Sequence, residues 1–172
     1  MKKIMNVLSL ALVLVFVSSA MHAQAGKTNF SGTWAFNAEK SNMGQNAQNA
    51  QGGGRGFGGG DMVVKQDGNT LSVATTRPGR NGGEPQTTTM NYTLDGKESV
   101  NTSQRGDSKS TATWSPDGSL TVKTTRTMEF NGESRTMNST EVWKLNGSAL
   151  TITSTMPSQN GERTFTRVYD KK

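Results

Sequence analysis

The chain predicts an all-β domain: a single antiparallel up-and-down meander of about ten strands, closed into a barrel. Two observations carry this. Asn-Gly and Asp-Gly dipeptides begin at Asp67, Asn81, Asp95, Asp117, Asn131, Asn146 and Asn160, mostly about 14 residues apart, and such dipeptides supply the positive-φ residues of tight hairpin turns. Between them the segments alternate with period two, one face apolar and the other rich in threonine, as strands with one buried face do. A meander of this kind leaves two raw edges unless it closes on itself.

The first residues stand apart from that domain. Lys2 and Lys3 precede an apolar run from Val7 to Val17, broken only by Ser9, and Ala23-Gln24-Ala25 forms a small-residue cleavage site. This is the pattern of a secretory signal peptide over residues 1–25. The domain is therefore expected over 26–172, exported to the periplasm or the extracellular space. No second apolar segment follows, so no integral membrane segment is expected, and the domain reads as a monomer.

The strands follow in order. Phe30 to Phe36 is the first, with Phe30, Gly32, Trp34 and Phe36 on one face. Residues 38–60 are rich in Asn, Gln, Ala and Gly without apolar periodicity and read as a mobile loop, a linker or a lid over the barrel mouth. The meander continues as Met62–Gln66, Thr70–Thr76, Gln86–Leu94, Glu98–Gln104, Lys109–Ser115, Ser119–Phe130, Ser134–Leu145, Ala149–Met156 and Glu162–Asp170. Hairpin duplication is visible in Asp67–Arg77 and Asp117–Arg126, echoed by Asn146–Thr155. The threonines of the outer face suit a solvated, twisted strand surface, which outweighs a flat ice-binding array.

The inner face has a gradient. Near the Asp67, Asp95, Asp117 and Asn146 turns it is apolar, with Leu71, Val73, Tyr92, Leu94, Leu120, Val122, Trp143, Leu145, Leu150 and Ile152. Towards the other end it turns mixed, with Thr75, Arg77, Met90, Thr124, Arg126, Met137, Ser139, Glu141 and Ser154. One dry end holds a barrel together; a mixed end implies a wetted cavity with room for a small ligand.

Several chemistries are excluded. The chain has no cysteine, and its single histidine, His22, lies in the leader. His-dependent triads, thiol nucleophiles and ordinary zinc sites are therefore absent. Asp67, Asp95 and Asp117 are turn residues, and Glu129 and Glu133 flank a turn. Glu141 alone points inward, and one carboxylate is not an acid–base pair. No catalytic residue, cofactor or metal is expected. The net charge is +6, scattered and partly carried by Lys2 and Lys3, so nucleic acid is not an expected partner. One Arg-Gly at Arg55 is too little for an RGG segment, and Arg105-Gly106-Asp107-Ser108 reads as turn chemistry rather than an integrin motif.

Phe30-Ser31-Gly32-Thr33-Trp34 resembles the opening strand of the calycin superfamily of lipocalins and fatty-acid-binding proteins. Thr166-Arg167-Val168-Tyr169-Asp170-Lys171, with its Arg-x-Tyr, resembles the closing strand of fatty-acid-binding proteins. The chain also resembles small secreted bacterial proteins with a lipocalin-like domain. The resemblance implies a calycin-like barrel whose base is closed by Trp34, with Arg167 or Arg163 stacked on the indole. It implies a carboxylate grip by Arg167 and Tyr169. The assisting Arg of that group is replaced here by Glu141 or its neighbour Val142, so Arg167 has a second reading, an internal ion pair with Glu141, favoured because buried charges are usually paired. Arg77, Arg126, Glu141, Arg167 and Tyr169 are the ligand-binding candidates; Trp34, Arg163 and Arg167 are the closure candidates. The expected function is binding of a small, partly apolar, anionic ligand. The alternative is a structural or surface-interaction barrel whose core is filled by its own side chains.

Overall fold

The computed structural model describes residues 27–44, 59–79, 82–103, 106–130, 132–159 and 161–172. The leader over 1–25, most of the 38–60 loop and Arg105 lie outside the described residues. The alternating segments become ten strands: β1 (Gly32–Asn42), β2 (Asp61–Asp67), β3 (Thr70–Arg77), β4 (Gln86–Thr93), β5 (Glu98–Ser103), β6 (Gly106–Trp114), β7 (Leu120–Phe130), β8 (Glu133–Asn146), β9 (Ala149–Ser158) and β10 (Gly161–Lys171). They form one antiparallel sheet in the order β4-β3-β2-β1-β10-β9-β8-β7-β6-β5. Sequence neighbours other than β4 and β5 pair antiparallel, and β1 pairs with β10 to bring the two ends of the chain together. The Asx-Gly turns work as their chemistry requires: Gly68 and Gly147 hold φ at 52° and 60°, where a side chain would be strained.

Closure is nearly complete and differs in kind at one seam. No ladder joins β4 to β5. Side chains bridge them instead. The buried Asn101 carboxamide accepts from Asn91 N at 2.8 Å and donates to Asn91 O at 2.9 Å, standing in for a peptide group. Ser99 Oγ accepts from Thr93 N at 2.8 Å. These bonds satisfy edge groups that would otherwise be orphaned.

Two boundaries depart from the expected ones by three residues or more. The first strand, expected over Phe30–Phe36, runs instead from Gly32 to Asn42. A bulge extends it: the register with β10 shifts between Asn37 and Asn42. Ser41 Oγ donates to Asn37 O and accepts from Val168 N, so a side chain replaces the missing rung of the ladder. The stretch Ala38–Asn42, expected as loop, is therefore strand. Polar residues that bond the backbone locally gave it a loop-like composition. Likewise β6 starts at Gly106 rather than Lys109. A Cβ at Gly106 would overlap the carbonyl of Thr127, so only glycine allows this close approach.

The dry end is built from aromatic rings. Phe30, 0% exposed, stacks on Trp114 at 5.9 Å and meets Trp143 edge-on at 5.8 Å. Trp34 belongs to the same cluster and donates its indole N–H to Phe30 O at 3.0 Å. Leu71, Leu120, Leu150 and Ile152 complete the plug. The segment before β1 crosses this end, tied by Thr28 Oγ1 to Gly118 O and by the Gln66 carboxamide to Phe30 N and Thr28 O. Among the described residues no helix is long and apolar enough to cross a membrane.

Turn carboxylates at this end should make the fold acid-sensitive. Asp95 is lowered to about 2 by the Lys97 backbone N–H and then the Lys97 side chain. Asp117 lies lower still, held by the Ser119 hydroxyl, Lys144 and the Ser119 N–H. A depressed folded-state pKa gives stability that is present above the unfolded value near 4 and lost as pH falls toward the folded value. The urea midpoint is expected to fall between pH 4 and pH 2. Asp95→Asn with Asp117→Asn should flatten that slope. A midpoint independent of pH across this window would contradict the assignment.

Candidate ligand-binding site

The site lies on the inner face at mid-height, where the apolar gradient gives way to polar residues. Register stacks Trp143, Ile152 and Arg167 on neighbouring strands β8, β9 and β10, with Glu141, Ser154 and Phe165 in the next row. Period-two alternation then points all six inward. Arg167 Nη2 donates to Glu141 Oε1 at 2.5 Å and to Ser154 Oγ at 2.9 Å. Ser154 Oγ donates to Glu141 Oε1 at 3.1 Å, and the Trp143 indole N–H donates to Glu141 Oε2 at 3.2 Å. Both carboxylate oxygens are thus engaged. The Arg167 and Glu141 side chains are 16% and 24% exposed. The pair is therefore partly hydrated rather than sealed off from water.

Burial works against the Arg167 charge, but Glu141 and the neighbouring phenols outweigh it and the pKa is raised. The guanidinium stays charged throughout. Burial pushes the Tyr92 phenol up, with Glu141 adding to the effect. Burial also raises Tyr169, with the Arg167 charge opposing. Both phenols remain neutral donors at ordinary pH.

Tyr169 is 0% exposed, and its hydroxyl makes no hydrogen bond of standard geometry despite the nearby Arg167. Arg126 Nε is equally buried and unpartnered. Arg126 lies on β7 opposite Met137 of β8 and Ser108 of β6, nearer the open end. A third orphan, Trp114 Nε1, belongs to the dry end against Phe30.

The remaining candidates lie elsewhere. Arg77 ends β3 opposite Gln86 with an exposed side chain, yet its charge still acts on Tyr169. Arg163 is exposed opposite Met156, close to the turn that joins β9 to β10. Neither Arg163 nor Arg167 covers Trp34. Register sets Lys171 opposite Trp34, and its ammonium lies 5.7 Å from the indole centroid. Arg167 is four residues away along β10, roughly 13 Å at strand rise, and Arg163 is twice as far. The sequence candidates omitted Tyr92, Trp143 and Ser154 as polar partners. Trp143 stands two residues from Glu141, so period-two parity alone could have found it.

No family model matches the sequence, and no curated relative does either. Solved structures do match. A secretory abundant heat soluble protein from Ramazzottius varieornatus superposes with a TM-score of 0.59 at 17% identity, over 83% of this chain and 95% of that one. The chain has the calycin barrel fold. Zebrafish ileal bile acid-binding protein, complexed with cholic acid, gives 0.56 at 18% identity over 83% and 98% of the two chains. Fatty-acid-binding protein 1 of Echinococcus granulosus gives 0.55 at 15% identity over 83% and 96%. At these identities the likeness to other calycin barrels is one of architecture.

Proposed function

We propose that this calycin barrel binds a small, partly apolar molecule in its lumen, and that the protein is exported with residues 1–25 as its leader. Binding, rather than catalysis, is the role. The observation that carries the reading is a pair of buried polar atoms without a hydrogen bond of good geometry, Arg126 Nε and Tyr169 Oη, the latter already beside Arg167. Buried polar groups are nearly always hydrogen-bonded, and a ligand entering the lumen gives both a partner. The walls support an amphipathic occupant. Strands β2 to β4 present Met62, Val64, Leu71, Val73 and Met90, whereas β6 to β9 present Ser108, Ser110, Thr124, Glu141 and Ser154. Proteins of the same fold are named for bile acids and fatty acids, which agrees with a ligand of this character.

The test uses native mass spectrometry of the purified protein and titration with N-phenyl-1-naphthylamine, a neutral apolar fluorophore. A small-molecule adduct removed by organic extraction and saturable fluorophore binding are expected. A protein with neither would be a barrel whose interior serves only its own fold.

A further inference from the structure

Two arginines whose charges reach Tyr92 have opposite circumstances. Arg167 is neutralised: Glu141 holds it, and Ser154 and Trp143 hold Glu141. Arg126 has no acidic partner among the described residues, and its Nε–H is buried without an acceptor. Around Tyr92 the Arg167–Glu141 pair cancels and Arg126 is left without a carboxylate, since both phenols stay neutral. Arg126 is only partly buried, but its Nε–H is shielded from water with no acceptor, and a charged donor left unpartnered favours an anionic acceptor.

The surroundings of Arg126 suit an oxyanion. Ser108, its β6 neighbour, already donates its hydroxyl to Asn101 O at 3.2 Å, and Thr124 and Ser110 stand one row further in. The Ser110 and Thr124 hydroxyls lie 2.8 Å apart. One of them donates to the other, and the acceptor keeps its own hydrogen to offer. Met128 and Met137 flank the arginine on the same face, giving adaptable apolar contact beside the charge.

We propose that Arg126 is the anion anchor of the lumen, and that Glu141, by occupying Arg167, makes the barrel selective for monoanionic amphiphiles whose charged group rests against β7. The proposal rests on lumen binding as proposed above. It moves the grip away from the Arg167–Tyr169 pair and leaves Tyr169 Oη to meet a second, uncharged oxygen of the ligand.

Two fluorophores with one skeleton test it: 8-anilinonaphthalene-1-sulfonate and the neutral N-phenyl-1-naphthylamine, titrated into the full protein at neutral pH and fixed ionic strength. The wild type should prefer the sulfonate. Arg126→Gln should weaken sulfonate binding about tenfold or more, as expected for a lost charged hydrogen bond, and leave the neutral fluorophore within about twofold. Arg126→Lys should keep part of the preference, which excludes a mere folding defect. Glu141→Gln should tighten the sulfonate by releasing Arg167. Equal binding of both fluorophores by the wild type would overturn the anchor while leaving lumen binding intact. So would a preference that survives Arg126→Gln and disappears in Arg167→Gln. Binding of neither fluorophore would remove the anchor and the binding function together.

Discussion

Trp34→Ala is expected to cost about 3–5 kcal/mol, the usual range for truncating a buried tryptophan. Trp34 is 1% exposed and belongs to the aromatic plug with Phe30, Trp114 and Trp143. Its loss also leaves Phe30 O without the indole donor it meets at 3.0 Å. For a domain of this size the unfolding temperature should drop by roughly 10–15 °C. Trp34→Phe should cost less, because it keeps much of the ring and forfeits mainly the hydrogen bond. Lys171→Ala should change little, since its ammonium lies over the ring at an exposed site where such contacts contribute at most about 1 kcal/mol. A thermal scan that finds Trp34→Ala no worse than the exposed Thr89→Ala would remove Trp34 from the closure of the barrel.

That closing role is legible in the sequence because it depends on local rules. Trp34 shares parity with Phe36, and the spaced Asx-Gly turns fix which residues of later strands face inward. The inner face read from Leu120, Val122, Thr124 and Arg126 is the observed one for the same reason: one misplaced residue would have turned the whole strand inside out. What eluded the sequence depends on register between strands distant in the chain. Lys171 replaces Arg163 and Arg167 over Trp34 because of how β10 pairs with β1. Ala38–Asn42 reads as loop because Asn37 and Ser41 are loop-like residues, yet their side chains carry a bulge into the sheet. The β4–β5 seam is similarly hidden, since nothing in Asn101 itself announces that its carboxamide will replace a rung. The Glu141–Arg167 contact is the exception: parity puts both inside, and the cost of an unpaired buried charge supplies the reason for them to meet.

Breaking that contact is expected to have the second large effect. Arg167→Met leaves Glu141 in the lumen with only Ser154 and Trp143 as donors, and should cost about 3–4 kcal/mol. Glu141→Gln leaves Arg167 charged and facing a neutral group, and should cost somewhat less. Replacing both at once, as Glu141→Leu with Arg167→Met, should recover much of the loss, because the pair's desolvation penalty disappears along with its attraction. The single and double variants together measure the coupling, which should exceed about 1 kcal/mol. The loss should also persist in high salt, whereas the exposed pairs Lys40–Asp170 and Lys109–Glu98 should be screened. Additive costs in the cycle would mean that Arg167 and Glu141 stabilise the barrel separately. Arg167 would then be free to hold a ligand anion, and the case for Arg126 as the anchor would weaken with it. Strong coupling instead ties the pair to the fold and leaves the lumen's charge recognition to β7.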